Sequence, residues 1–171
     1  MTTFTWLHLS DFHFKKGTDW QRDVVLQSLM RDVIKELPGT DLAPDAVFVT
    51  GDIAHSGKDE EYEQARLFFD EAAEVLGHYP RKNWFLAPGN HDVDRSLLSI
   101  MQKSTRGLMN NLDKSNEFLG DPNTWADFAA RQRDFLRFTK DFLGPKRAWQ
   151  AKAPWQTGSI DIDDLKIAVL C

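Results

Sequence analysis

Apolar side chains recur at two different spacings along the first ninety residues. Phe4 to Ser10 alternates large apolar with polar residues, which predicts a strand. A polar loop over 11–19 follows, carrying Gly17. Val24, Val25, Leu26, Leu29, Met30, Val33, Ile34 and Leu37 then fall at helical spacing, predicting a helix from Trp20 to Leu37 that Pro38-Gly39 stops. Asp45 to Thr50 (DAVFVT) is a short apolar run leading into Gly51-Asp52 and reads as a buried strand. Asp59 to Leu76 predicts a second helix, with Tyr62, Ala65, Phe68, Phe69, Ala72 and Leu76 as its inward stripe. Asp59, Glu60 and Glu61 suit its first turn, where the helix end carries partial positive charge, and Gly77 can close it. Asn83 to Ala87 is a third strand, ended by Pro88-Gly89.

The order strand, helix, strand, helix, strand argues for an α/β fold with parallel strands and crossover helices. In such sheets, ligands sit beyond the carboxyl ends of the strands. Residues 95–152 have a different character. They predict a helix from about Asn123 to Leu143, with Trp125, Phe128, Phe135, Phe138 and Phe142 on one broad side. They hold eleven Lys or Arg against six Asp or Glu, a local balance of +5 in a chain of net charge -5. This segment reads as a helical, locally basic insertion within a single domain covering 1–171. Trp155 to Cys171 reads as a hairpin turning at Asp163-Asp164.

Composition narrows the class. The chain has 171 residues, 42% of them apolar, with six Trp and twelve Phe. That is one domain's length with ample material for a core, and it excludes a disordered or fibrous chain. The negative net charge argues against nucleic-acid binding by bulk charge, though it leaves room for a local basic surface. A single cysteine, Cys171, allows no intrachain disulfide, which suits a reducing compartment. The N-terminus lacks a basic region followed by an apolar one, so no secretory signal is read, and no apolar run is long enough to span a bilayer. The expected location is the cytoplasm.

The candidate chemistry lies at the three predicted strand ends. Asp11 and His13 stand in LHLSDFHF, and their spacing puts two side chains on one side of an extended segment, where a carboxylate and an imidazole can grip one metal ion. Gly51-Asp52 closes DAVFVTGD. A carboxylate there is costly unless paired or coordinated, and the glycine lets the backbone turn tightly. His55, three residues on, reads as facing solvent and is not counted as a ligand. The third cluster is Gly89-Asn90-His91-Asp92. Asn90 offers a neutral carbonyl oxygen to a metal, His91 a proton donor near neutral pH, and Asp92 an acceptor that could fix the His91 ring. Asp11 and Asp52 are 41 residues apart, and Asp52 and Asn90 are 38. Each interval holds one helix and one strand, so all three clusters project from the same sheet edge.

Asp-x-His, then Gly-Asp, then Gly-Asn-His-Asp, each after a strand, resembles the calcineurin-like metallophosphoesterase superfamily. The longer runs LSDFHF, GDIAHSG and PGNHDVDR look most like its bacterial phosphodiesterase-type members. The resemblance implies an αββα sandwich of two sheets flanked by helices. It implies two divalent metal ions (Mn, Fe, Zn, Ni or Mg), the first bound by Asp11 and His13, the second by Asn90, with Asp52 bridging both. His91 would serve the leaving group, oriented by Asp92. The implied reaction is phosphodiester hydrolysis at a dinuclear centre with a bridging hydroxide. The expected substrate is a phosphodiester such as a cyclic nucleotide or nucleic acid, and Arg95, Lys103, Arg106, Arg131, Arg133 and Arg137 are candidate phosphate contacts. The superfamily also supplies metal-binding histidines downstream, including a Gly-His-x-His motif. Here the five histidines are His8, His13, His55, His78 and His91, and none follows His91. The expectation is therefore a domain incomplete at its C-terminus, with further sequence in a larger parent protein. Alternative readings are a non-catalytic or regulatory module and a protein phosphatase.

Overall fold

The structure is a computed structural model that describes residues 2–17, 19–78, 81–97, 111–120, 129–148 and 156–171. Three strands, β1 (Trp6–Leu9), β2 (Ala46–Thr50) and β3 (Trp84–Ala87), form a parallel sheet in the order β1-β2-β3. The register pairs Leu9 with Val49 and Val49 with Leu86, so the three carboxyl ends finish side by side. The predicted strands are present, each shorter than its apolar run.

Alternation along these strands sends side chains to two separate cores. Leu9, Val47, Val49, Trp84 and Leu86 pack with the helices, whereas Ala46, Phe48 and Phe85 face the other way. Helix α2 (Asp59–Val75) buries Tyr62, Ala65, Phe68, Phe69 and Ala72 of the expected stripe and Ala73 besides, while Leu76 is only half-buried. Phe68 and Phe69 meet Phe12, Phe14, Trp20, Trp84 and Phe142 at ring-centroid distances of 5.1–6.3 Å. A fully buried Phe contributes about 1.5–3 kcal/mol. Most helical stability in proteins comes from packing of an apolar face, so this aromatic block, rather than helix propensity, holds α2 against the sheet.

The expected continuous helix from Trp20 to Leu37 is not formed. The segment runs instead as a 3-10 turn (Trp20–Arg22), helix α1 (Val24–Ser28), a π-helical turn (Leu29–Val33) and a second 3-10 turn (Ile34–Glu36). Asp23 breaks it by turning extended, and its carboxylate accepts from the amides of Val25 and Leu26, which restarts the helix. After Trp20, the buried positions are Leu26, Met30 and Ile34, spaced by four. That spacing suits the wider π turn, in which the Ile34 amide reaches the Leu29 carbonyl. Val24 and Val25, counted among the apolar positions at helical spacing, are each 75% exposed.

Helix α3 (Leu112–Gly120), which the apolar pattern did not predict, lies in the basic segment. Helix α4 (Arg133–Leu143) covers the C-terminal half of the expected 123–143 helix and buries Phe135, Phe138 and Phe142 against α2 and Trp84. Trp125 and Phe128 lie outside the described residues. Arg81 ties this layer together: it pairs with Asp70 of α2, stacks on Phe142 at 4.5 Å and donates to the Phe142 carbonyl at 3.0 Å.

On the opposite face sits the expected hairpin, β4 (Thr157–Ile162) and β5 (Leu165–Leu170), antiparallel, with Asp163 at its turn in the left-handed region. Ile160, Ile162, Ile167 and Val169 pack on Phe85 and Phe48. Gln156 anchors the hairpin by accepting from the Leu86 amide at 2.9 Å. Gly158 is required there, because a Cβ would come within 2.5 Å of the Phe85 ring. Helices lie on one face of the parallel sheet and a second sheet on the other.

Candidate metal centre

The ladder between β1 and β2 continues past both strands as a zipper of loop hydrogen bonds. The Asp11 amide donates to the Gly51 carbonyl at 3.2 Å, His13 to Asp52 and Phe14 to Ile53 at 2.9 Å each, and the His55 amide returns to Phe14 at 2.9 Å. Phe14 and Ala54 form a parallel bridge and are both buried. This zipper brings the first two clusters together.

It does so at a conformational cost. Among the described residues, four that are not glycine have positive φ, and three of them are Asp11 (60°), His13 (49°) and Asp52 (52°). The left-handed region costs about 1–3 kcal/mol for such residues and persists only where the surroundings enforce it. Contrary to the expectation, Asp11 and His13 therefore do not share one side of an extended segment. Each turns through a left-handed step, and the turn aims both side chains at one point. Asp and His tolerate this region better than bulky residues do.

At that point, His13 Nε2 lies 3.9 Å from Asp11 Oδ1 and 4.0 Å from Asp52 Oδ2. These gaps are too long for hydrogen bonds. They are wider than the roughly 3.0–3.5 Å between neighbouring donors that each stand about 2.0–2.2 Å from one cation, so a bound ion would draw these side chains inward. The three ligand atoms all lie within 4.8 Å of one another, and so do ring nitrogens of His13, His55 and His91. The residues present therefore fit a divalent cation. Exposure grades across the site: the side chains of Asp11, His13 and Asp52 are 69%, 34% and 17% accessible. The position opens to solvent on the Asp11 side and is floored by Asp52.

The loop after β3 closes over Asp52. Oδ1 of Asp52 accepts from the His91 amide at 2.9 Å, while its Oδ2 faces His13. Gly89 lies directly on Asp52, where a Cβ would run into the carboxylate and the backbone nitrogen. Gly51, at φ 87°, comes so close to Gly89 that a Cβ would stand 2.8 Å from its Cα. Two glycines thus allow the second and third loops to touch. Asn90 is exposed beside this contact, and its backbone carbonyl accepts from Arg95 Nη2 at 3.3 Å.

Asp92 does not orient the His91 ring. His91 Nδ1 lies 2.7 Å from the His55 carbonyl, an acceptor, so that nitrogen carries the proton. Asp92 is fully buried and accepts from the amides of Gly89 (2.8 Å), Ala54 (2.9 Å) and Ile53 (3.2 Å) and from the Tyr62 hydroxyl (3.0 Å). Burial pushes its carboxyl above the ordinary value, against the downward pull of those four donors. Burial and the Asp92 charge also hold the Tyr62 phenol well above its usual range. Asp92 fixes the loops, not the imidazole.

His55, set aside from the sequence as solvent-facing, is exposed as expected, yet it borders the site. Its ring stands 5.6 Å from that of His91 and 6.1 Å from that of His13. The available signal was the Asp-x-x-His spacing from Asp52. Of the expected phosphate contacts, Arg95 reaches the site loop. Arg133 pairs with Asp134, Arg137 with Asp59 and Asp134, and Lys103 and Arg106 lie outside the described residues. No helix among the described residues is long and apolar enough to cross a membrane.

Residues 4–156 match the family described as calcineurin-like phosphoesterase. The chain is similar to the glycerophosphodiester phosphodiesterase GpdQ of Enterobacter lignolyticus (strain SCF1), 39% identical over 98 residues, which cover 56% of this chain and 32% of that protein. It is also similar to the uncharacterized metallophosphoesterase-like protein YydB of Bacillus subtilis (strain 168), 31% identical over 147 residues, covering 82% of this chain and 28% of that protein. The chain thus spans about a third of the length of these curated relatives.

Proposed function

The chain belongs to the calcineurin-like phosphoesterase family, and on that premise we propose that it is a metal-dependent hydrolase of phosphodiesters working through a dinuclear centre. The observation that carries this reading is the convergence of Asp11, His13 and Asp52 on one point, at 3.9 and 4.0 Å, through three left-handed backbone steps. The likeness to a glycerophosphodiester phosphodiesterase supports a diester over a monoester.

In this reading Asp11 and His13 would hold the first ion and Asn90 the second, and Asp52, whose two oxygens point to different sides of the site, would serve both. Bound divalent cations supply Lewis acidity toward the phosphoryl oxygens and lower the pKa of water. His91 handles the leaving group. It acts in its doubly protonated form: the Nδ1 proton stays directed at the His55 carbonyl, and the Nε2 proton passes to the departing oxygen as the P–O bond breaks, leaving a neutral imidazole. Asp92 supports this indirectly, by holding the loop that carries His91. Arg95, tied to the Asn90 carbonyl, brings one cation of the basic segment 95–152 within reach of a phosphate.

The test is elemental analysis of the purified protein, paired with hydrolysis of bis-p-nitrophenyl phosphate in added manganese. Bound metal with turnover of the diester supports the reading. Turnover of phosphoserine peptides but not of the diester replaces it with a protein phosphatase, and metal binding without any turnover replaces it with a non-catalytic module.

A further inference from the structure

We propose that the His55 imidazole is a second phosphoryl-contact group of this site, standing beside His91 on the side away from the carboxylates. The proposal rests on the phosphoesterase reading above.

Three observations place it. The backbone of His55 is built into the site, since its amide donates to Phe14 and its carbonyl accepts from His91 Nδ1. Its position is therefore set by the same zipper that sets His13, and it fixes His91 in turn. Its ring, by contrast, is exposed and makes no hydrogen bond among the described residues. Finally, the histidines divide by their neighbours. His13 faces Asp11 and Asp52. The His91 ring stands 4.7 Å from that of His13 and 5.6 Å from that of His55, and neither His55 nor His91 is within ion-pair distance of a carboxylate among the described residues. The carboxylates and His13 make the cation side of the site, and the two remaining imidazoles make a wall beside it.

A phosphoryl group drawn to that cation side turns its other oxygens toward this wall. An imidazole N–H there donates a charge-assisted hydrogen bond, stronger than a neutral one. A purely structural role does not account for the ring, because an exposed and unbonded imidazole contributes little to stability. The competing role is a cation ligand with His13 and His91, whose ring nitrogens lie within 4.8 Å of those of His55, and manganese content separates the two roles.

The experiment compares wild type with His55→Ala, which keeps the backbone carbonyl and so keeps His91 in place. Manganese content is measured by elemental analysis, inorganic phosphate binding to the manganese-loaded protein by calorimetry, and thermal stability by melting. The expected result is unchanged manganese content and melting temperature with phosphate affinity weakened about tenfold or more, the loss for one hydrogen bond to a charged group. Unchanged phosphate affinity overturns the proposal. So does loss of manganese in the variant, which would make His55 a ligand, and so does a loaded wild type that binds no phosphate. If wild type binds manganese and phosphate but cleaves no diester, the phosphodiesterase reading fails while the phosphate contact stands. If wild type cleaves the diester and His55→Ala binds phosphate normally, only the contact fails.

Discussion

The Tyr62 hydroxyl donates to the Asp92 carboxylate across 3.0 Å, joining helix α2 to the loop that carries His91. Both groups are buried, and the same carboxylate gathers amides from the second and third loops. One side chain therefore clamps α2, the Asp52 loop and the His91 loop at a single point.

Removing that clamp is expected to be costly. Asp92→Ala leaves three amides and a phenol without their acceptor, at about 1–3 kcal/mol for a buried donor left unpaired. Urea unfolding should show a loss of at least about 3 kcal/mol, whereas Tyr62→Phe, which removes one donor and leaves the amides served, should cost only about 1 kcal/mol. Equal small losses would show that the clamp does not hold the loops.

Asp52 and Asn90 should differ in their effect on metal. Asp52 lies between the His13 side and the His91 loop, while Asn90 is exposed at the edge. Asp52→Asn should abolish metal binding in a calorimetric titration, and Asn90→Ala should weaken it only in part. Equal losses would count against a bridging Asp52.

His91→Ala is expected to leave metal content nearly intact and to lower diester turnover about 10²–10⁴-fold, the usual contribution of a general acid. A large loss of bound metal in this variant would make His91 a ligand instead.

Gly89→Ala tests the contact between loops. The new Cβ meets the Asp52 carboxylate and backbone, and neither can move without breaking the strained step at Asp52. Overpacking of this kind costs about 1–3 kcal/mol, and metal affinity should fall with it. Retained affinity in a stable variant would mean that the loops separate easily.

His78 predicts a pH effect away from the site. Its Nε2 lies 2.7 Å from the Pro44 carbonyl, and its Nδ1 is buried without a partner among the described residues. Protonating Nδ1 would bury an unpaired N–H, and burial holds the imidazole below its ordinary value of 6.5. A lowered folded value means that the stability is fully present above the unfolded value and is lost as pH falls through it. The urea midpoint should decline as pH drops below about 6.5, and His78→Gln should flatten that decline. An unchanged slope would discharge His78 from this role.

Much of this arrangement was legible in the chain. Alternation and helical spacing are local properties, so the three strands, the buried stripe of α2 and the hairpin at Asp163-Asp164 could be read from neighbours a few residues apart. The three polar clusters follow from the same reading, because parallel strands with crossover helices must end on one edge. The breaks between Trp20 and Glu36 were not legible, since Asp23 looks like one more polar helix position until its carboxylate caps the next turn. What the tertiary structure alone decided is the pairing of loops. The Phe14–Ala54 bridge joins residues 40 apart in the chain and sets His55 beside His91, and the four donors on Asp92 come from three separate elements. No local pattern encodes such contacts. They depend on the register of β1 against β2 and on glycines that let two loops touch, and these act only once the sheet has formed.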